Sequence, residues 1–233
     1  MNAPVPASDH APVILLHGLG LGGWAMALLA RNLRAAGHRV INLTYPSRTL
    51  SLERLASEWL PDRLHAAGLA PSDRRHFVTH SMGGIVVRLY RRDFPDLPLG
   101  RGVMLAPPNQ GSEVADRLAG FAPFHWFTGL NGRRLGARAN SLPRALGPWP
   151  AGGGELGIIA GNRAMNPLFS AWLGGPSDGK VAVASTRLDG MADFIELPHT
   201  HTWLQWSGDT AAQVRAFLRT GKFEAATAPR RGS

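Results

Sequence analysis

The sequence predicts an α/β fold with a mostly parallel central sheet and helices on both faces. Short apolar runs that suit strands alternate along the chain with stretches of 3.6-residue periodicity that suit helices. Such alternation is typical of a parallel sheet built from βαβ units. A length of 233 residues is enough for one such domain to bury a core without disulfides or metal ions.

The predicted elements follow one another in order. Strands are predicted at residues 13–16, 39–43, 76–79, 102–105, 156–160 and 194–197. Helical patterns lie near residues 24–36, 52–67, 82–92 and 209–219. Residues 110–154, rich in glycine, proline and arginine, interrupt this alternation. No linker or repeat is visible, so we expect a single domain over residues 1–233, with loose tails at 1–10 and 221–233.

The third strand ends in a serine followed by glycines, in the run His80-Ser81-Met82-Gly83-Gly84. A sharp strand-to-helix turn would expose the serine hydroxyl and aim the N–H of Met82 at a developing negative charge. The run therefore predicts a nucleophile at Ser81, although Thr79 stands where the G-x-S-x-G motif has its first glycine. A strand-turn-helix join without a catalytic role is the alternative.

A glycine-rich loop follows the first strand, in the segment His17-Gly18-Leu19-Gly20-Leu21-Gly22-Gly23. This loop can donate a second N–H, that of Leu19, to the same oxyanion. A phosphate-binding loop is the alternative, but the G-x-x-x-x-G-K-[ST] pattern and an acidic ribose partner are missing. We expect His17 to fix the loop by hydrogen bonding rather than to act as a base.

Together with residues 105–112, 178–181 and 201–204, these segments resemble the α/β-hydrolase superfamily. Within it they are most similar to the small bacterial serine lipases and esterases of the EstA/LipA type. The resemblance implies a minimal α/β-hydrolase fold that begins at the oxyanion strand, without the two leading strands of larger relatives. It also implies that the insertion at 110–154, after the sixth strand of the full fold, forms a small cap over the active site.

The same family presents its catalytic residues in the order serine, acid, histidine, with the acid after the strand at 156–160. Asp178 is the best candidate for this acid, and an ordinary turn aspartate before glycine is the alternative. Three rival acids, Asp189, Asp193 and Glu196, lie in or beside the last strand, too late for the role.

Two histidines after the last strand, His199 and His201, compete for the role of base. The resemblance favours His201, because the family leaves a few loop residues after this strand and follows its histidine with a small residue and an apolar pair. Metal binding by the His-x-His pair is not expected, since no carboxylate or cysteine cluster with ligand spacing accompanies it.

The insertion contains an aromatic cluster at residues 121–127. If the cluster belongs to a cap, its side chains, Phe124 and Trp126 in particular, would bind the acyl group of a substrate. The buried side of a packed helix is an equally good interpretation of the same residues.

The formal net charge of +9 would suit binding to nucleic acid or to an anionic membrane. However, the arginines are scattered without a stripe or a stacking platform, so no nucleic acid is expected, and weak contact with anionic lipid stays open. Neither a secretory signal nor a membrane-spanning stretch is evident, which makes a cytoplasmic protein without stable membrane insertion the default. The oligomeric state is left open.

The patterns together predict a serine carboxylic-ester hydrolase that acts on small-molecule or lipid esters and needs no cofactor. Ser81 would be the nucleophile, His201 the base and Asp178 the acid that orients it. An acyltransferase, a thioesterase and a catalytically inactive member that binds acyl ligands are the alternatives.

Overall fold

Six parallel strands form the centre of the protein. A computed structural model describes residues 11–164 and 173–224. The strands are β1 (Val13–Leu16), β2 (Val40–Leu43), β3 (Arg75–His80), β4 (Leu99–Leu105), β5 (Leu156–Gly161) and β6 (Asp193–Leu197). They pair in the order β2-β1-β3-β4-β5-β6, and each pair is parallel. The predicted sheet is confirmed.

The helices lie between these strands. They are α1 (Ala27–Ala35), α2, α3 (Met82–Asp93), α4 (Glu113–Leu118), α5 (Ala122–Thr128), α6 (Leu142–Ala145), α7 (Val183–Thr186) and α8 (Gly208–Thr220). Helix α2 consists of three consecutive segments, α-helical Leu52–Arg54, π-helical Leu55–Trp59 and α-helical Leu60–Ala66. Short 3₁₀ turns occupy Gly23–Met26, Gly129–Leu135 and Trp203–Trp206.

The apolar core has one layer on each face of the sheet because neighbouring residues of a strand point to opposite sides. Ile14 and Leu16 of β1 pack with α2 and α3 in one layer. Val13 and Leu15 pack with α1 and α8 in the other. β1, β3 and β5 are buried along their whole length, as expected for a parallel sheet covered by helices. Helices therefore cover both faces, as predicted.

The structure differs from the sequence-based expectation in two places. The helix expected from residue 24 begins as a 3₁₀ turn and becomes α-helical at Ala27. Residues 221–224 are not a loose tail, because Phe223 N–H donates to Asp193 Oδ2 and the Phe223 ring packs on Phe217 at 4.9 Å between centroids. The other predicted tail residues, 1–10 and 225–233, lie outside the described residues.

Candidate active site

Ser81 occupies a strained turn between β3 and α3. Its backbone has φ 53° and ψ −120°, a region that residues with a side chain seldom adopt. The turn is held by Ser81 N–H, which donates to Leu105 O at 2.8 Å, and by Gly84 N–H, which donates to Ser81 O at 3.0 Å. This geometry places the serine at the carboxyl edge of the sheet, where α/β proteins carry their sites.

Two glycines let helix α3 pack closely enough for this turn. A Cβ at Gly83 would lie 2.8 Å from Leu16 O, and one at Gly84 would lie 3.1 Å from Met104 Sδ and 3.4 Å from Thr79 Oγ1. Because Gly84 lies opposite Thr79, the branched side chain fits where the motif usually has glycine. The departure from G-x-S-x-G is therefore accommodated by packing.

A chain of two hydrogen bonds joins three of the predicted site residues. Ser81 Oγ lies 3.0 Å from His201 Nε2, and His201 Nδ1 lies 2.6 Å from Asp178 Oδ2. The His201 and Asp178 side chains are 7% and 1% exposed. The hydroxyl can thus donate to the imidazole, and the imidazole Nδ1–H can donate to a carboxylate that is withdrawn from water.

The Asp178 carboxylate is fixed by its own turn. Oδ1 accepts from Lys180 N–H at 2.9 Å and from Val181 N–H at 2.8 Å, which leaves Oδ2 for His201. Asp178 O also accepts from His201 N–H at 3.0 Å. Gly161, at the end of β5, gives Asp178 room, since a Cβ there would lie 2.8 Å from Asp178 Cβ.

The competing residues make other contacts. His199 Nε2 lies 2.7 Å from Ser207 Oγ and 3.5 Å from Asp209 Oδ2, at the start of α8. Asp193 accepts from the N–H groups of Phe194 and Phe223, and Glu196 accepts from Asn162 Nδ2. None of these contacts involves Ser81 or His201, and Asp189 is exposed.

The glycine-rich loop after β1 passes beside Ser81. A Cβ at Gly18 would lie 3.3 Å from Ser81 Cβ and 2.9 Å from His80 Nδ1. Among the described residues, neither Leu19 N–H nor Met82 N–H donates a hydrogen bond. Both N–H groups thus have no acceptor within the part of the chain that the structure describes.

His17 fixes this loop through Tyr45. Its Nε2 accepts from Tyr45 N–H at 3.1 Å, Tyr45 Oη donates to His17 O at 2.6 Å, and the two rings stack at 4.1 Å between centroids. Burial lowers the pKa of His17, which favours the neutral ring that such an acceptor requires. Ser47 Oγ accepts from Gly20 N–H at 3.0 Å.

The sequence interpretation missed Tyr45 and Ser47. The available signal was their position directly after the second strand, which places polar side chains at the carboxyl edge of the sheet.

A cavity of about 260 Å³ opens beside Ser81 and His201. Apolar side chains form much of its wall: Leu19, Leu21, Val114, Leu118, Phe124, Phe127, Leu135 and Val181. Helices α4 and α5 thus contribute to a wall over the serine. A Cβ at Gly20 would lie 3.3 Å from the Phe127 ring, so α5 also contacts the glycine-rich loop.

The structure separates the two aromatic residues predicted to bind the acyl group. Phe124 lines the cavity, whereas Trp126 does not and is 78% exposed, with the Arg48 guanidinium 5.8 Å from its ring centroid. The expectation for Trp126 is therefore corrected, because successive helical side chains point in different directions, and Phe127 lies at the cavity instead. Helix α5 is also not a packed core helix, since Thr128 is its one buried residue.

Within the described part of the chain, no group of three histidine, aspartate or glutamate side chains is arranged to hold a metal ion. No helix in those same ranges has both the length and the apolar character needed to cross a membrane.

The chain belongs to the α/β hydrolase family, because that family's model matches residues 13–232. The predicted family and fold class are confirmed.

Two solved structures of the lipase BlEst2 from Bacillus licheniformis are similar to this fold. The mature form has a TM-score of 0.66 at 17% identity and covers 94% of both chains. The propeptide form has a TM-score of 0.68 at 18% identity and covers 97% of this chain and 54% of the other. At these identities the similarity concerns the fold.

Two rice proteins are similar in sequence. The probable esterase PIR7A of Oryza sativa subsp. indica is 35% identical over 89 residues, which are 36% of this chain and 34% of that protein. The esterase PIR7B of Oryza sativa subsp. japonica is 36% identical over 100 residues, which are 40% of this chain and 37% of that protein. The matched segment thus spans little more than a third of these relatives.

Proposed function

We propose that this protein is a serine carboxylic-ester hydrolase. The observation that carries the proposal is the hydrogen-bonded series from Ser81 Oγ through His201 to Asp178, with distances of 3.0 and 2.6 Å. A serine hydroxyl alone is a poor nucleophile, and a hydrogen-bonded imidazole oriented by a buried carboxylate activates it. The similarity to two rice esterases and to a Bacillus licheniformis lipase supports esters as the substrate class.

In the acylation step, Ser81 Oγ attacks the ester carbonyl carbon while its proton moves to His201 Nε2. The tetrahedral oxyanion accepts hydrogen bonds from Leu19 N–H and Met82 N–H, each of which contributes about 3 kcal/mol in such sites. The C–O bond to the alcohol then breaks, and the leaving oxygen takes the proton from His201.

In the second step, water attacks the acyl group on Ser81 and gives a proton to the same imidazole. Collapse of this second oxyanion releases the carboxylic acid and returns the proton to Ser81 Oγ. Asp178 holds the imidazole in the tautomer that both steps need. The aliphatic and aromatic cavity wall, with Phe124 and Phe127, suits an apolar acyl chain of modest length.

The test combines a fluorophosphonate probe with hydrolysis of 4-nitrophenyl esters from acetate to decanoate. We expect the probe to label the wild-type protein and not Ser81→Ala, and we expect kcat/KM to fall at least about 10³-fold in that variant. Ser72→Ala, at an exposed serine, is the matched control and should leave both readouts unchanged.

Hydrolysis at the wild-type rate in Ser81→Ala would contradict the proposal. Labelling without ester hydrolysis would favour an acyltransferase or a thioesterase, which acyl transfer to an added alcohol or release of a thiol would reveal. Binding of acyl ligands without labelling would indicate an inactive member of the family.

A further inference from the structure

Lys180 is a cation in the wall of an otherwise mostly apolar cavity. Apart from His80 and His201, it is the one titratable side chain among the described residues that line this cavity. Lysine is rare in this chain, because its 25 basic residues include just two lysines, Lys180 and Lys222. Lys180 is an exposed residue, so its ammonium is accessible to an anion that enters the cavity.

The backbone of Lys180 is held at the catalytic residues. Its N–H donates to Asp178 Oδ1 at 2.9 Å, and its carbonyl oxygen accepts from Ser112 Oγ at 2.7 Å. Ser112 is the N-cap residue of helix α4, whose side chains form one wall of the cavity. The side chain of Lys180 therefore starts from a fixed point between the acid that orients His201 and the wall that would contact a substrate.

No carboxylate of the described chain pairs with the Lys180 ammonium. Asp178, the nearest acid in sequence, is already occupied by His201 and by the N–H groups of Lys180 and Val181. Within residues 11–164 and 173–224, the Lys180 side chain makes no salt bridge or hydrogen bond. The sequence of residues 165–172 contains no acidic residue.

Lys180 is exposed as a residue, yet enough protein lies around its side chain to alter its titration. Desolvation by these neighbours lowers the pKa of Lys180, and the Asp178 charge opposes this shift without cancelling it. The same ammonium is close enough to contribute, after burial and the charge of His201, to the lowered pKa of His80. The His80 and His201 rings lie 4.8 Å apart between centroids, and Lys180 lines the same cavity as both.

We propose that Lys180 binds a carboxylate of the substrate, so that the enzyme selects esters carrying a second, ionised carboxyl group. A half-ester of a dicarboxylic acid is such a molecule, with an ester for Ser81 and an anion for Lys180. The formal net charge of +9 would also attract anionic substrates to the protein. This inference rests on the proposed esterase function and specifies its substrate class.

The test compares two matched substrates, 4-nitrophenyl hydrogen adipate and its neutral methyl ester, in wild-type protein and in Lys180→Met and Lys180→Arg. We expect the anionic-to-neutral ratio of kcat/KM to fall at least about 10-fold in Lys180→Met, as expected for a lost hydrogen bond to a charged group. Lys180→Arg should restore most of the ratio. Lys222→Met is the matched control, because Lys222 Nζ donates to Ala192 O on the protein surface.

A second pair, 4-butanoyloxybutanoate and its methyl ester, carries the anion on the alcohol side of the ester. A Lys180-dependent ratio in either pair supports the inference and assigns the side of the ester that Lys180 recognises. An unchanged ratio in both pairs would overturn it. A structural role for Lys180 would lower both members of a pair alike and leave the ratio where it was.

Wild-type protein alone provides a measurement that does not depend on how the variants fold. Salt screens charge–charge attraction, so the wild-type ratio should fall when NaCl rises from about 0.05 to 0.5 M. An anionic-to-neutral kcat/KM ratio that does not change with salt would count against the inference. The same holds if this ratio is unchanged in Lys180→Met. Failure to hydrolyse any ester would instead refute the proposed function, so the two failures can be told apart.

Discussion

His80 Nε2 lies 3.0 Å from the backbone carbonyl oxygen of His201, a residue 121 positions later in the chain. The residue that precedes the proposed nucleophile thereby holds the loop that carries the proposed base. Burial, with a smaller contribution from the charge of His201, lowers the pKa of His80 well below its ordinary value of 6.5. His80 is thus neutral in the native protein, and its Nε2–H donates to the carbonyl.

The stability of the protein should therefore fall as the pH drops below about 6.5. Unfolded His80 takes up a proton there while the native ring does not, so the free energy of unfolding decreases by up to about 1.4 kcal/mol per pH unit for this group. We expect urea unfolding between pH 7.5 and 5 to show a steeper loss in wild-type protein than in His80→Gln, whose amide can still donate to His201 O.

Buried His17 contributes to the same slope in both proteins, since burial lowers its pKa too. The difference between wild type and His80→Gln isolates His80. Equal slopes would show that His80 is not kept neutral by folding.

The two histidines of the last loop should differ in their effect on catalysis. His201→Ala removes the imidazole at 3.0 Å from Ser81 Oγ and should approach the rate of Ser81→Ala, because triad members act as a unit. His199→Ala loses a contact to Ser207 at the start of α8, so we expect lower thermal stability with most of kcat retained. Steady-state kinetics and melting curves of both variants provide the check, and the reverse ranking would make His199 the base.

Asp178→Asn should lower kcat by about 10⁴, because an amide at this position no longer fixes the imidazole tautomer. The matched control is Asp193→Asn, whose native carboxylate accepts from Phe194 and Phe223 N–H groups away from Ser81. We expect that control to keep its kcat while losing some stability. A large loss of kcat in Asp193→Asn, with near-normal turnover in Asp178→Asn, would assign the acid elsewhere.

Acyl-chain preference should depend on the aromatic residues that face the cavity. Phe124→Ala and Phe127→Ala should reduce kcat/KM more for octanoate than for acetate esters, since each buried methylene is worth about 0.8 kcal/mol. Trp126→Ala, which alters an exposed ring of the same helix, should leave the octanoate-to-acetate ratio unchanged. If Trp126→Ala alone lowers the ratio, the acyl chain binds on the outer face of α5.

Periodicity and glycine placement were enough to predict the sheet and the turn at Ser81, because both follow from local rules. Such a turn has a local pattern, which is an apolar strand followed by a serine and then by two small residues. The resemblance to the α/β-hydrolase superfamily, with its order serine, acid, histidine, then suggested Asp178 and His201, which the structure brings to Ser81.

The orientation of the aromatic cluster could not be obtained in this way. Residues 121–127 are aromatic on several sides of a short helix, so periodicity does not tell Phe127 from Trp126. Phe127 lies next to Gly20 and lines the cavity, whereas the Trp126 ring lies next to Arg48. Gly20 and Arg48 are both distant from the helix in sequence, so local periodicity does not reveal these contacts. The π-helical segment Leu55–Trp59 has no local signature that we can identify either.

The strand order keeps Ser81 and His201 apart until late in folding. Ser81 follows β3 and His201 follows β6, and two strands, β4 and β5, lie between them in the sheet. With neighbouring strands about 4.8 Å apart, the last loop must reach back across about 14 Å to meet the serine. Contacts of such long sequence separation form slowly, since the chain between them must first be ordered. Recovery of ester hydrolysis should therefore lag behind recovery of helical circular dichroism when the unfolded protein is refolded.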